Sequence, residues 1–294
     1  MRTTSAFFLQ RWGRLSQLSA ELAYPIVCVG IPKTMDNDLP ITDCSPGFGS
    51  AAKYVATSLH EAALDLAAMS RTSTKVFTLE VMGRHAGWTT AACALAAEHE
   101  GDAPHVLLLP EVAFNEGRFL VKVEDALKRH DQCVIAVSEG VKGPDGEFLS
   151  ASGLKDSFGH AQLGGVAPLI TNLISTKFGC KCHWAVPDYL LRSARHIASE
   201  TDVEQAYAVG RAAVEFAFAG KSAVMPAIRR LSDAPIVGTS SRRRSLGSPT
   251  RKSYYPPTSS ARMVLASLKR LAAIWHRSSL EKPIRHSKMV YLIM

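Results

Sequence analysis

Short apolar segments that end at polar, glycine-marked loops recur along this chain, and helical segments follow them. Four such segments are predicted as strands, at residues 26–29, 75–81, 106–109 and 133–137. Between the first two, apolar residues recur at three- and four-residue spacing from Phe48 to Met69, which predicts a long amphipathic helix. Repeated strand–loop–helix units are typical of a doubly wound parallel α/β sheet.

The remaining segments fit this pattern less regularly. Helices are predicted at residues 15–22, 89–97, 121–129, 164–173 and 202–219, and a last strand at residues 223–228. Residues 142–148 are predicted as a turn-rich hairpin. Thr201 is predicted to cap the last long helix, with Asp202 and Glu204 as its N-terminal acids and Gly220 at its end.

The loop after the first predicted strand, Val29–Leu39, carries the densest set of reactive side chains. Lys33 is suited to a phosphate, and Thr34 can donate a hydrogen bond to one. Asp36 and Asp38 can each take a proton from a hydroxyl or hold a magnesium ion. Ligands of open α/β sheets bind at the carboxyl ends of strands. From spacing alone, a polar turn without function is an equal alternative.

Composition restricts the class of protein. The chain has 294 residues, 47% hydrophobic and 20% charged, which is typical of globular enzymes. It contains neither a membrane-length apolar run nor a signal-peptide pattern, so we expect a cytoplasmic protein without membrane contact. The scattered cysteines predict reduced core thiols. Cys180-Lys181-Cys182-His183 fits no common zinc spacing, and strand-edge packing is the preferred interpretation over a metal site.

The net charge of +8 is concentrated in the last sixty residues. Residues 236–294 contain twelve Lys and Arg against one acid, Glu281. Such a tail can bind nucleic acid or an anionic membrane. An alternative is that the segment results from a change of reading frame, and selected nucleic-acid binding is therefore not expected.

Four motifs in this order resemble the signatures of the 6-phosphofructokinases. They are Gly30-Ile-Pro-Lys-Thr-Met-Asp-Asn-Asp38, Val81-Met-Gly-Arg-His-Ala-Gly-Trp88, Val137-Ser-Glu-Gly140 and Tyr189-Leu-Leu-Arg192. The resemblance extends over about residues 15–234. Pro32-Lys33-Thr34 and His85-Ala86-Gly87-Trp88 resemble the diphosphate-dependent branch rather than the ATP-dependent one.

The resemblance implies a cytoplasmic enzyme of glycolysis and gluconeogenesis that transfers phosphate from diphosphate to the 1-hydroxyl of fructose 6-phosphate, with Mg²⁺. It implies that Asp36 is the general base and Asp38 its supporting carboxylate. It also implies that Thr34 contacts the transferred phosphoryl group and that Lys33 favours diphosphate over ATP. Such chemistry needs an oriented nucleophile and cationic stabilisation of the moving charge.

The other three motifs are implied to bind the sugar phosphate. Met82, Gly83 and Arg84 match sugar-phosphate contacts, with Arg84 near the transferring group and therefore catalytic. Glu139 matches a ligand of sugar hydroxyls, and Tyr189 and Arg192 match ligands of the 6-phosphate. Lys75 stands where the family has a phosphate contact across subunits, so a homo-oligomer is expected.

The chain departs from the family pattern in three places. Residues 1–10 contain no glycine-rich donor loop, and the aspartate that helps to hold Mg²⁺ is not found, so no metal ligand is assigned. Leu191 replaces a usual glutamine. The tail from Pro235 is unlike the family, but in another frame Arg262-Met263-Val264 permits Asp-Gly, and neighbouring stretches permit family-like strings. Truncation and a shifted frame are therefore expected.

These departures lead to a division of the chain and to two alternatives for its activity. Residues 1–46 with 190–234 are expected to be a remnant of the phosphoryl-donor domain, residues 47–189 the fructose 6-phosphate domain, and residues 235–294 a poorly ordered basic tail. The chain is expected to be an impaired enzyme. The alternatives are a non-catalytic protein that binds sugar phosphate or a related subunit and, last, a nucleic-acid binder.

Overall fold

The computed structural model describes residues 14–39, 42–150, 165–233 and 236–240, with side chains up to residue 229. These residues divide into two compact units: residues 14–50 with 196–240, and residues 51–195. The predicted features at residues 1–13 and 241–294, including most of the basic tail, lie outside the described residues. No helix in the described ranges is long and apolar enough to cross a membrane.

The unit of residues 51–195 is built on a four-stranded parallel sheet, which confirms the predicted α/β class. Its strands follow the spatial order β2-β3-β1-β4 and all pair in parallel. They are β1 (Val76–Val81), β2 (Val106–Leu108), β3 (Cys133–Ser138) and β4 (Cys182–Ala185). β1 is central, with β3 on one side and β4 on the other, so the loops after β1 and β3 lie beside each other.

Four helices connect or follow these strands. They are α3 (Trp88–Ala92), which continues as a 3₁₀ helix (Cys93–Ala96), α4 (Glu116–His130), α5 (Val166–Phe178) and α6 (Tyr189–Ser193). Isoleucines and valines of α4 and α5 form a buried cluster with inward residues of β1 and β3. Alternate residues of β3 point into this cluster, because successive strand side chains face opposite sides of the sheet.

Helix α4 begins five residues before the predicted start at Val121. The Asn115 side chain accepts the Arg118 N–H at 2.9 Å, and Asp131 in the left-handed region (φ 57°) ends the helix. A side-chain oxygen at the N-cap satisfies a backbone donor that the helix leaves without a partner. The apolar periodicity alone therefore placed the start of α4 wrongly.

The other unit contains helical residues 14–21 (α1), the start of α2 (Phe48–Met69) and α7 (Glu200–Phe218). Two short strands, β5 (Ile228–Asp233) and β6 (Ile236–Ser240), pair antiparallel. The predicted long helices α2 and α7 are confirmed, and Gly220 with φ 64° follows the end of α7. α2 continues into the other unit.

Two strand predictions in this unit are wrong. Residues 26–29 form only one parallel bridge, from Val29 to Val224, and the last strand begins at Ile228 rather than Ala223. Ile26 is 42% exposed, and its backbone N–H donates to the Tyr24 carbonyl at 2.8 Å and to the Ser19 hydroxyl oxygen of α1 at 3.2 Å. The Ile26 N–H therefore has local partners and takes no part in a strand ladder.

The predicted N-terminal cap of α7 is also wrong. Ser199, not Thr201, occupies the N-cap, and its side chain makes no capping bond. Thr201 lies inside the helix. The six cysteines are free, as predicted. The Lys142–Phe148 antiparallel bridge agrees with the predicted hairpin at residues 142–148.

Candidate active site

The Val29–Leu39 loop is held at two points by backbone pairing. Its start is joined to Val224, whose carbonyl accepts the Gly30 N–H at 2.8 Å. Thr34 forms a parallel bridge with Gly47, next to the first turn of α2. The loop is therefore fixed both before and within the Lys33–Asp38 segment.

The four predicted functional side chains of this loop differ in burial. Thr34 is 7% exposed and Asp38 5%, whereas Lys33 is exposed and Asp36 is half-buried. The Thr34 hydroxyl oxygen accepts the Asp36 backbone N–H at 3.1 Å. This local turn fixes the backbone of Asp36 and leaves its carboxylate partly accessible.

Asn37 and Asp38 complete the turn. Asn37 has φ 51°, in the left-handed region that asparagine tolerates, and its side-chain oxygen accepts the Ser45 N–H at 2.8 Å. The buried Oδ1 of Asp38 has no hydrogen-bond partner among the described residues. Within these same ranges, no three His, Cys, Asp or Glu side chains are placed to hold a metal ion.

Asp202, which the sequence assigned to the dipole of its own helix, supports this loop from behind. Its carboxylate is 6% exposed and accepts the N–H groups of Gly47 at 2.9 Å and Ser50 at 3.1 Å, and the Ser50 hydroxyl at 2.5 Å. Asp202 therefore caps α2 from α7. Because Gly47 pairs with Thr34, this cap also fixes the loop.

In the other unit, the loops after β1 and β3 are joined by hydrogen bonds. The Ser138 hydroxyl donates to the Gly83 carbonyl at 2.7 Å and accepts the Gly140 N–H at 3.1 Å. The Gly83 N–H donates to Glu139 Oε1 at 3.4 Å. Gly83 and Glu139, which the sequence assigned to the sugar phosphate from separate motifs, thus meet here. Sequence reasoning assigned no role to Ser138, although it lies inside the third motif.

These two loops approach too closely for a side chain at their junction. A Cβ at Gly140 would lie 2.1 Å from the Arg84 carbonyl oxygen, and a Cβ at Gly83, with φ 148°, would lie 2.7 Å from the Ala86 carbonyl oxygen. Real Cβ atoms do not approach backbone atoms so closely. The glycines of both motifs are therefore required by packing, and Arg84 is placed next to the β3 loop.

Glu139 is half-buried, and its surroundings change its acidity. Burial raises the pKa of the Glu139 carboxyl above its usual value, while the Gly83 N–H and the charge of Arg84 oppose the rise. The negative charges of Glu80 and Asp188 add to the rise. A carboxyl group in this state is suited to hydrogen bonds with hydroxyl groups.

Glu111, after β2, is a further contact that the motifs did not reveal. Its Oε1 accepts the Gly87 N–H at 2.7 Å, at the start of α3. A Cβ at Gly87 would lie 2.6 Å from Oε2 of the same carboxylate. Glu111 therefore holds the end of the Val81–Trp88 motif in place.

The fourth motif forms the short helix α6. The Arg192 guanidinium lies 4.1 Å from the centre of the Tyr189 ring, and both side chains are exposed. Leu191, where the family usually has glutamine, is 1% exposed and packs in the core. The replaced position therefore points away from the exposed pair.

Lys75 lies away from Arg84. It precedes β1, and Arg84 follows the opposite end of that six-residue strand. Its Nζ pairs with Asp131 at 2.5 Å, and its backbone N–H donates to Lys181. The predicted contact of Lys75 with a phosphate across subunits stays a prediction.

The parallel α/β sheet, with glycine loops joined at the carboxyl ends of its strands, belongs to the class of folds that bind ligands at this edge, and residues 8–216 match the phosphofructokinase family. The chain belongs to that family. Solved relatives agree: the pyrophosphate-dependent phosphofructokinase from Marinobacter aquaeolei has a TM-score of 0.80 at 42% identity. This likeness covers 96% of the chain and 68% of that structure. The corresponding protein from Nitrosospira multiformis has a TM-score of 0.70 at 52% identity, and this likeness covers 79% of the chain and 54% of that structure.

Two curated relatives are named pyrophosphate–fructose 6-phosphate 1-phosphotransferase. The protein from Halomonas elongata is 58% identical over 226 residues, covering 77% of this chain and 54% of the relative. That from Methylococcus capsulatus is 59% identical over 222 residues, covering 76% and 53%. The chain therefore spans about half the length of these relatives.

Proposed function

We propose that this chain takes part in diphosphate-dependent phosphorylation of fructose 6-phosphate at its 1-hydroxyl, giving fructose 1,6-bisphosphate and phosphate. The observation that carries the proposal is the loop of residues 29–39. Backbone pairing fixes this loop at Val29 and at Thr34, and the half-buried Asp36 follows two residues after Thr34. A general base must be fixed in position yet reach the proton that it removes.

In this reaction the Asp36 carboxylate takes the proton of the sugar 1-hydroxyl as its oxygen attacks the terminal phosphorus. Phosphate then leaves as the bond to the bridging oxygen breaks. Thr34 would donate a hydrogen bond to the phosphoryl group, and Arg84 would stabilise its charge. Asp38, buried beside the base, would support it electrostatically. The exposed cation of Lys33, and the names of the relatives, favour diphosphate as donor.

The sugar phosphate would bind in the unit of residues 51–195. Met82 and Gly83 would contact it through the β1 loop, and Glu139 would accept hydrogen bonds from its hydroxyls. The exposed Tyr189–Arg192 pair would bind the 6-phosphate, to which the guanidinium fork is complementary. The sequence-based division, with residues 47–189 as the sugar domain and residues 1–46 with 190–234 as the donor domain, stays a prediction, and this assignment would extend the sugar domain to include Arg192.

Mg²⁺ fits this site only in its usual mode with phosphate substrates, in which one or two carboxylates and phosphate oxygens hold the ion. Asp36 or Asp38 could supply such a carboxylate, and the Oδ1 of Asp38 has no hydrogen-bond partner among the described residues. When bound, Mg²⁺ neutralises charge on the phosphates.

Binding of fructose 6-phosphate without transfer is a second candidate. The hydrogen bonds that join Gly83, Ser138 and Glu139 lie wholly within residues 51–195. Sugar-phosphate binding therefore does not need the donor side. A homo-oligomer, with Lys75 directed to a neighbouring copy, belongs to either candidate.

Purified protein tests both candidates. We expect diphosphate- and magnesium-dependent formation of fructose 1,6-bisphosphate at a rate well below that of an intact family member. Asp36→Asn should lower this rate by a further roughly 10²–10⁴-fold, with fructose 6-phosphate binding unchanged in calorimetry. Asp65→Asn, which removes an exposed carboxylate of α2, is the matched control. Binding without any product would leave the second candidate, and absence of both would refute both.

A further inference from the structure

Two cysteines at the edge of the sheet form a thiol pair that the proposed reaction does not use. Cys180 and Cys182 flank Lys181 at the start of the edge strand β4, and their Sγ atoms lie 3.9 Å apart. Both side chains are half-buried. Residues two apart in an extended segment point to the same side of it, which explains why the thiols meet.

The backbone between the two cysteines is held by its neighbours. Gly179, with φ 63°, ends α5 immediately before Cys180. The Lys181 carbonyl accepts the Lys75 N–H at 3.0 Å, and the Cys182 segment pairs with β1 from Val76 onward. The thiol pair is therefore preorganised by the sheet rather than carried on a loop.

This spacing suits one bridging atom better than a direct S–S bond. Two residues of extended chain separate their Cα atoms by about 6.4–6.8 Å, the upper end of the range for disulfides. A disulfide would also require the sulfurs to close from 3.9 Å to about 2.05 Å. In contrast, two thiolate bonds to one centre, each of about 2.3 Å as in zinc thiolates, span 3.9 Å at an angle of roughly 115°.

We propose that Cys180 and Cys182 form a chelating dithiol site for one soft, thiophilic centre that is satisfied by two sulfur ligands. Thiolates select soft centres. In the part of the chain that the structure describes, no third His, Cys, Asp or Glu completes a metal site here. Zn²⁺, which takes four ligands, is therefore less suited than a trivalent arsenical with one organic substituent.

Phenylarsine oxide is the probe for this chemistry. Its arsenic forms two As–S bonds with the thiols, the As=O bond breaks, and both thiol protons leave with the oxygen as water. Arsenic and sulfur keep their oxidation states, so no oxidant or reductant is needed.

Intact-mass measurements on the folded full chain test the site. We expect one phenylarsenic group per chain, released by a dithiol competitor but not by an equal amount of a monothiol. Cys180→Ser and Cys182→Ser should each weaken capture by about 10²-fold, because the second bond is then no longer intramolecular. Cys28→Ser, at a half-buried cysteine of the other unit, should bind as the unchanged protein does.

Three results would overturn the proposal. The first is that Cys180→Ser or Cys182→Ser captures the phenylarsenic group as fully as the unchanged protein. The second is that the folded protein forms no adduct. The third is that Cys133→Ala loses the adduct while Cys180→Ser retains it. Circular dichroism of each variant establishes that it is folded. Loss of two hydrogens between Cys180 and Cys182 in place of the adduct would identify a disulfide pair instead.

Discussion

Replacing Asp202 by alanine tests the support of the Val29–Leu39 loop. The carboxylate is 6% exposed and accepts three hydrogen bonds, from the Gly47 N–H, the Ser50 N–H and the Ser50 hydroxyl. Asp202→Ala removes both acceptor oxygens, and with them all three hydrogen bonds, and leaves two backbone donors at the start of α2 without a partner. It also removes a negative charge from the positive end of that helix dipole.

The expected loss in the free energy of unfolding is about 3–5 kcal/mol. Hydrogen bonds to a charged group contribute about 1.5–3 kcal/mol each, and they do not add fully because they share one carboxylate. Asp202→Asn keeps one acceptor oxygen, so we expect roughly half of that loss. Since Gly47 pairs with Thr34, the rate of phosphoryl transfer should fall more than sugar binding does.

Urea denaturation provides the measurement, with the midpoint compared at equal slope. Asp65→Asn on the exposed side of α2 is the control and should change stability by less than about 0.5 kcal/mol. If Asp202→Ala loses less than about 1 kcal/mol, or Asp202→Asn loses as much as the alanine variant, the reasoning about the shared acceptor is wrong.

Two further predictions concern the other unit. Gly140→Ala should weaken fructose 6-phosphate binding at least about tenfold in calorimetry, because overpacking against the Arg84 carbonyl costs about 1–3 kcal/mol. Gly210→Ala, where an added Cβ meets nothing within 4 Å, should bind normally, and equal affinities would contradict the argument. Burial, and then the charge of His130, lower the pKa of His105 to about 4. Because His105 of the unfolded chain takes up a proton near pH 6.5, the stability present above that pH should be lost as the pH falls towards 4. His105→Gln should therefore make the midpoint of urea denaturation depend less on pH between about 6.5 and 4.

Local patterns predicted much of the sheet unit. The alternation in β1, the apolar run of β3 and the periodicity of α2 are set by neighbouring residues, so the sequence placed them within a residue or two. Residues 26–29 carry a similar apolar run, yet the Ile26 N–H donates to the Tyr24 carbonyl and to Ser19 of α1, and only Val29 forms a strand bridge. An apolar run specifies burial or pairing only when a partner strand is available.

The candidate site likewise has features that the sequence predicts and features that only the structure shows. The four motifs contain the residues that are proposed to bind substrate or catalyse the reaction. They could be found from the sequence because Asp36, Arg84, Glu139 and Arg192 follow one another in the order of the motifs. The sequence also determined that Gly83 and Gly140 are glycines, but not why. Only the structure brings each within contact of a backbone carbonyl that leaves no room for a Cβ.

What tertiary structure alone decided is which groups hold these residues in place. Asp202 was expected to act on its own helix, but its hydrogen-bond donors at Gly47 and Ser50 lie 155 and 152 residues earlier in the chain. A buried polar group takes the nearest partner in space, and distance in space is fixed by packing, which no local pattern records.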